Sequence, residues 1–180
     1  GATERIKLGT AVLVVPYPHA LLTAKTVASL DVLSGGRVIL GIGVGWLEQE
    51  FEALGLDFHK RGAQTNEALL AMKACWTEPL ASFHGEFYDF AAIKCEPKPK
   101  QKPHPPIWCG GNTMPALRRA ATLADGWHAV GLSPAQLAEK ASVLKDLRSQ
   151  ASKSWDTFEL TLISPQSCTV EDVRAFEAAD

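Results

Sequence analysis

The sequence predicts an α/β fold, part of a (β/α)8 TIM barrel with a β-hairpin insertion, from three observations. Val38-Ile39-Leu40-Gly41-Ile42-Gly43 is an apolar run that ends in a glycine turn. Ile107-Trp108-Cys109-Gly110-Gly111 and Asp125-Gly126-Trp127-His128-Ala129-Val130 follow the same grammar. Stretches with helical periodicity separate them, the alternation expected of a parallel sheet with its site at the strand ends.

The elements follow in order. Residues 7–15 read as a strand rich in Val and Leu, ended by Pro16 and Pro18. Residues 19–33 read as a helix burying Leu21, Ala24, Val27, Leu30 and Leu33, and Ser34-Gly35-Gly36 stops it. A strand over 37–43 follows at once, as in tight αβ connections. A short helix near 47–54 and a longer one near 62–77 come next, the latter with Leu69, Met72 and Trp76 on one face. Residues 83–88 read as a hairpin with His84-Gly85 near its turn. Pro97, Pro99, Pro103, Pro105 and Pro106 make a stiff connector. The β/α rhythm then resumes, which makes 78–105 an insertion: strand 107–109, helix 114–124 and strand 125–130. A helix opens at Ser133-Pro134-Ala135-Gln136 and buries Leu137, Ala141, Leu144 and Leu147. A strand at 158–163 and a helix opening at Thr169 complete the chain. The whole reads as one partial-barrel domain over 1–180, near strands 3 to 7 of a barrel. Open edges at its first and last strands lead to the expectation of a homodimer.

Composition bounds the partners. With 46% apolar and 21% charged residues the chain has an ordinary globular balance, and a net charge of -2 favours neither nucleic acid nor an anionic membrane. No apolar run approaches ~18 residues, and Gly1-Ala2-Thr3-Glu4-Arg5 does not read as a signal peptide. The four cysteines, at 75, 95, 109 and 168, form no CxxC pair, which fits a reducing, cytoplasmic setting rather than a disulfide framework. The five histidines show no metal-binding spacing, so no protein-held metal is expected. A small molecule is the expected partner.

Gly41-x-Gly43-x-Gly45 departs from the dinucleotide fingerprint, because Trp46 stands where its third glycine belongs. These glycines suit either a planar ligand close to the backbone or tight packing at a barrel rim. Cys109-Gly110-Gly111-Asn112-Thr113 precedes a helix, and reads either as an anion site of backbone N–H groups or as a plain turn with Asn112 or Thr113 as N-cap. Taken with the first motif at the same barrel face, a phosphate-bearing cofactor becomes the better account. Cys109 reads as a buried thiol rather than a nucleophile. His128 suits an acid–base role or simple packing. Trp46 and Trp127 would line a flavin-sized pocket or fill a core. Glu48, Glu50 and Arg118-Arg119 read as solvated helix faces that could also bond a ligand.

Together, Leu8-Gly9-Thr10-Ala11-Val12, Leu30-Asp31-Val32-Leu33-Ser34-Gly35-Gly36-Arg37, Gly41-Ile42-Gly43-Val44-Gly45-Trp46, Phe58-His59-Lys60-Arg61-Gly62 and Pro105-Pro106-Ile107-Trp108-Cys109-Gly110-Gly111 resemble the bacterial luciferase-like family. They look most like its deazaflavin (coenzyme F420)-dependent oxidoreductase branch. The resemblance implies a (β/α)8 barrel that binds F420, or alternatively FMN, at the carboxyl ends of its strands. It implies a non-prolyl cis peptide at Ala11-Val12 behind the flavin ring. Gly43, Gly45, Trp46 and Gln49 would line the cofactor, and Cys109, Gly110, Gly111 and Asn112 would form the turn that holds its phosphate. The family's substrate and proton-transfer residues lie mostly on its first two strands, which have no counterpart here, so no catalytic residue is assigned. Hydride transfer between F420 and a small organic substrate is the expected activity. An FMN-dependent monooxygenase using O₂ and a non-catalytic barrel fragment are the alternatives.

Overall fold

The computed structural model describes residues 3–163 and 169–177. The chain divides into two compact units, Gly1–Pro106 and Ile107–Asp180.

In the first unit β1 (Leu8–Gly9) and β2 (Leu13–Val14) are followed by helix α1 (Ala20–Ser34) and the central strand β3 (Val38–Gly43). β1 and β2 both pair parallel with β3, Leu8 opposite Val38 and Val14 opposite Gly43. The strand expected over 7–15 is therefore broken at residues 10–12. The Ala11–Val12 peptide bond inside the break is cis.

α1 buries a different face from the one its leucines suggest. Ala20, Thr23, Ala24, Val27, Ala28 and Asp31 are buried, whereas Leu30 and Leu33 are 50% and 83% exposed. The cause is α3 (Arg61–Thr77), which packs on α1 through the bulk of Trp76. The Trp76 indole N–H donates to the Ala24 carbonyl at 2.9 Å. A large ring on one helix leaves room only for small residues on the other. Leu30 and Leu33 instead line an apolar groove of about 350 Å³ with Leu8 and Val38. α1 stops at Gly35, whose φ of 77° suits glycine, and the Gly36 N–H returns to the Asp31 carbonyl at 2.8 Å.

Two carboxylates fasten the irregular parts of this unit. Asp31 is fully buried and accepts from the Gln101 backbone N–H at 2.8 Å and its side-chain amide at 2.7 Å. The same amide donates to the Val38 carbonyl at 2.8 Å, so the proline-rich connector is tied to α1 and β3 together. Glu67 of α3 accepts the backbone N–H groups of Glu86, Phe87 and Tyr88 at 3.0, 2.7 and 2.7 Å. The hairpin is β4 (Ala81–His84) and β5 (Asp89–Ile93), longer than the expected 83–88, and His84-Gly85 stands at the start of its turn, as expected. The N–H groups of 86–88 serve the carboxylate instead of a ladder. Gly85 is required as well, since a Cβ there would lie 2.3 Å from the Glu67 Oε1. Between β3 and α3 lie α2 (Glu48–Leu54) and a 3-10 turn, Phe58–Lys60.

In the second unit β6 (Ile107–Gly110), β7 (Gly126–Val130) and β8 (Glu159–Ile163) form a parallel sheet. Trp108, Gly126 and Glu159 stand abreast, as do Gly110, His128 and Thr161. A Cβ on Gly126 would meet the Trp108 ring at 2.6 Å and the Glu159 carbonyl at 2.7 Å. Helix α4 (Met114–Leu123) packs on β6, β7 and α5 (Pro134–Gln150). α5 opens with the expected reciprocal Ser133–Gln136 capping box and Pro134 in its first turn. Arg148 is buried near its end, donating to the carbonyls of Ser154 and Ala121 and lying 4.2 Å over the Phe158 ring. α6 (Val170–Glu177) opens on Thr169, whose N–H donates to the Asp172 carboxylate at 2.7 Å.

Replacing Glu67 with Ala leaves three N–H groups without their acceptor. We expect a loss of about 2 kcal/mol or more in denaturant unfolding, because hydrogen bonds to a charged acceptor are the stronger kind. Glu67→Gln, which keeps one acceptor oxygen, should lose less.

Candidate functional site

The glycine run ends β3, and the protein's own atoms occupy the space beside each glycine. A Cβ on Gly41 would lie 1.9 Å from the Thr10 carbonyl oxygen. On Gly43 it would lie 2.8 Å from Val12 Cγ2, and on Gly45 2.7 Å from the Phe51 ring. Gly45 also has φ of +82°. Of the two readings of this motif, close packing is the one the geometry displays. Thr10 completes the contact, its hydroxyl donating to the Gly41 carbonyl at 2.7 Å. Ala11, Val12, Trp46 and Gln49 are exposed around this strand end, Val12 to 40% and Trp46 to 83%. Trp46 is thus no core residue.

Beside these residues lies a pair, Tyr17 and Glu50, of which only Glu50 stands out in the sequence. The Tyr17 hydroxyl donates to the Glu50 carboxylate of α2, and the Tyr17 ring meets buried Phe51 edge-on at 5.1 Å. The hydrogen bond to Glu50, aided by burial and by the carboxylate's charge, pushes the Tyr17 pKa up to about 12. The phenol is held protonated. Glu48 stands 3.8 Å from the His59 ring. No motif links Tyr17 and Glu50 across 33 residues. The one available signal was a tyrosine directly after a strand-ending proline.

The second unit carries the turn after β6. Cys109 is fully buried, with its thiol 3.8 Å from the carbonyls of Gly110 and Ala116. Burial raises its pKa, opposed by Arg119, so it is an inert thiol as expected. Gly111 has φ of +106°, and its N–H donates to the His128 carbonyl at 3.4 Å. Asn112 bridges to β7 in both directions, donating to the Val130 carbonyl at 2.7 Å and accepting the Val130 N–H at 3.3 Å. Its side chain therefore serves as neither N-cap nor free ligand group. Thr113 is the α4 N-cap residue, without a side-chain cap bond. Trp127 is fully buried and donates to the Gly111 carbonyl at 2.8 Å, which makes it a core residue that fastens the turn.

His128 lies 2.6 Å from the Thr161 hydroxyl through Nδ1, and that hydroxyl donates to the Trp127 carbonyl at 3.3 Å. With its proton so committed, Thr161 accepts from Nδ1–H, which assigns the tautomer. Nε2 is buried and has no hydrogen-bond partner among the described residues. Burial lowers the His128 pKa, so the ring is neutral near pH 7. It stacks on Trp108, with centroids 6.3 Å apart.

Comparison with known proteins gives these residues a context. The luciferase-like monooxygenase family matches residues 1–179. An uncharacterized protein of Mycobacterium tuberculosis is 38% identical over 175 residues, 97% of this chain and 59% of its own length. An FMNH(2)-dependent dimethylsulfone monooxygenase of Pseudomonas putida is 37% identical over 153 residues, covering 83% of this chain and 41% of that protein. The solved coenzyme F420-dependent tetrahydromethanopterin reductase of Methanopyrus kandleri superposes with a TM-score of 0.78 at 21% identity, over 89% of this chain and half of that one. The chain therefore spans about half the length of the proteins it matches. The fold class read from the sequence, a partial luciferase-like barrel, holds.

Two outcomes are expected of stability measurements. Gly41→Ala should cost more than about 3 kcal/mol, since the obstacle is backbone rather than a movable side chain. Gly55→Ala, at φ +69° with nothing within 4 Å, should cost only about 1 kcal/mol. His128, with its folded pKa below the ordinary 6.5, binds protons more readily when the chain is unfolded. Stability should accordingly fall as pH drops through about 6.5 and level off below the folded pKa. Melting curves of His128→Gln between pH 7.5 and 5 should lack that component.

Proposed function

The chain belongs to the luciferase-like monooxygenase family, and from that membership we propose that its protein is an oxidoreductase moving a hydride between F420 and a small organic substrate. The observation that carries the reading is the strand end of the first unit. There Ala11 and Val12 are both exposed beside the carboxyl end of β3. Val12 and Trp46 supply exposed apolar surface of the kind a tricyclic ring covers. The residues present thus fit such a ring. When bound, the ring would supply the hydride chemistry, and the protein would supply orientation. Val12 would support the ring, Trp46 would shield it from water, and Gln49 would offer a polar contact. Gly43 and Gly45 would act indirectly, by letting Val12 and Phe51 sit where they do.

The family resemblance assigns the cofactor phosphate to the turn Cys109–Asn112. The Gly111 N–H already has a long bond to His128, and the Asn112 side chain is spent on Val130. In this reading Gly110, Gly111 and the start of α4 receive the anion through the backbone, and Cys109 and Asn112 shape the turn. A partial barrel over 1–180, acting within a longer homodimeric cytoplasmic enzyme, is part of the same proposal.

The second reading is an FMN-dependent monooxygenase using O₂. It is favoured by the 37% identity to the Pseudomonas putida enzyme. Titrating the full-length protein with F420 and with reduced FMN separates the two. Tight F420 binding with anaerobic turnover supports the first, and oxygen uptake dependent on reduced FMN supports the second. Binding of neither cofactor would overturn both. In either case Trp46→Ala should weaken cofactor binding roughly tenfold while the melting temperature stays unchanged, because the ring is exposed.

A further inference from the structure

A buried ring nitrogen of the second unit lacks the partner its chemistry requires. His128 stands on β7 between fully buried Trp127 and Ala129, and α4 packs on that strand. Alternation puts the His128 ring on the opposite face of the sheet. Gly110 and Thr161 stand abreast of it on β6 and β8. Nδ1–H is committed to the Thr161 hydroxyl at 2.6 Å, and that hydroxyl to the Trp127 carbonyl at 3.3 Å. The ring is stacked on Trp108, whose indole N–H is taken by the Glu159 carboxylate at 2.8 Å. Nε2 is therefore a bare acceptor, closed to water and without a donor among the described residues. An acceptor facing solvent is bonded by water, whereas a buried one without a donor costs free energy. The missing partner is a donor and not an anion, since a phosphate dianion has no proton to offer Nε2. Gly110 puts no side chain over the ring from β6, and is itself only half-buried. It ends β6 one residue before Gly111, whose N–H donates to the His128 carbonyl.

We propose, on the reading that assigns the cofactor phosphate to the turn after β6, that His128 Nε2 accepts a hydrogen bond from a hydroxyl of the polyol chain carrying that phosphate. F420 and FMN both join their ring to the phosphate through such a chain. With the phosphate held by backbone at Gly110 and Gly111, the hydroxyls nearest to it are the donors available at the end of β6. Thr161, by taking the Nδ1 proton, fixes Nε2 as the acceptor. Burial lowers the His128 pKa and so keeps the ring in the neutral form that can accept.

The test follows the His128 ring by NMR in the full-length protein, free and saturated with F420 or FMN, its signal assigned by loss in His128→Phe. A hydroxyl donating to Nε2 favours the neutral ring, so the His128 pKa should fall further on binding. A rise would mark contact with the phosphate, and an unchanged value would mark no contact. Either overturns the proposal. Binding is also measured for the cofactor, for the same molecule without its phosphate, and for its bare ring. His128→Phe keeps an aromatic ring beside Trp108 and removes Nε2. It should weaken the two ligands that carry the chain about tenfold and leave the bare ring unaffected. Equal weakening of all three, or of the phosphorylated ligand alone, would overturn the proposal. Failure of the wild-type protein to bind either F420 or FMN is a separate result, which removes the assigned phosphate site together with the hydroxyl contact.

Discussion

The Thr10 carbonyl lies where a side chain on Gly41 would be, and the strand end of the first unit follows from that approach. Alternation along β3 puts Gly41 and Gly43 on one face and buried Leu40 and Ile42 on the other. The glycine face is bare, so residues 10–14 can lie against it. Thr10 bonds back to Gly41, Val12 covers Gly43, and the chain rejoins β3 in register at Leu13 and Val14. With a side chain at Gly41 or Gly43 this path would be closed. Ala11 and Val12 would then lose the position that exposes them.

The polar side chains of both units go largely into holding backbone that forms no ladder. Asp31 and Gln101 fix the connector, Glu67 fixes the hairpin turn, Asn112 fixes the turn after β6, and Arg148 fixes the segment after α5. Each makes more than one hydrogen bond to the segment it holds, and its loss would leave main-chain groups there without that partner. Such residues are poor candidates for chemistry, because taking up a ligand would strip the backbone of its partner. Asn112 is a clamp in this sense, whereas the exposed surface of Trp46 and Val12 is uncommitted.

Most element positions were legible because glycine, proline and capping residues act locally. The Gly35-Gly36 stop, the Ser133–Gln136 box and the strand at β3 all stand within a residue or two of expectation. What was not legible depended on distant partners. The break at residues 10–12 is invisible in a run of Val and Leu, and only the family resemblance pointed to Ala11–Val12. The α1 face was misread because periodicity weighs leucines, whereas Trp76 selected alanines. The hairpin was read as 83–88, too short at both ends, because Glu67, which holds its turn, lies 18 residues before Gly85. The strand-end glycines and Trp46 stood out in the sequence, whereas the pairing of Tyr17 with Glu50 and the committed state of Asn112 did not.

The same distance effect gives Gly45 its meaning. Its positive φ turns the chain out of β3, and its missing side chain admits the Phe51 ring. Phe51, fully buried, is met edge-on by Tyr17 at 5.1 Å and by Phe58 at 5.3 Å. Arg61 lies 3.6 Å over the Phe58 ring and donates to its carbonyl at 2.7 Å. One glycine thus seats an aromatic cluster that joins the loop after β2, helix α2 and the 3-10 turn. Tyr17 and Glu50 are brought together at the outer edge of that cluster. Glycine motifs at strand ends are usually read as openings for a ligand. Here the opening is filled by the protein itself, and exposed apolar surface lies one residue further on, at Trp46.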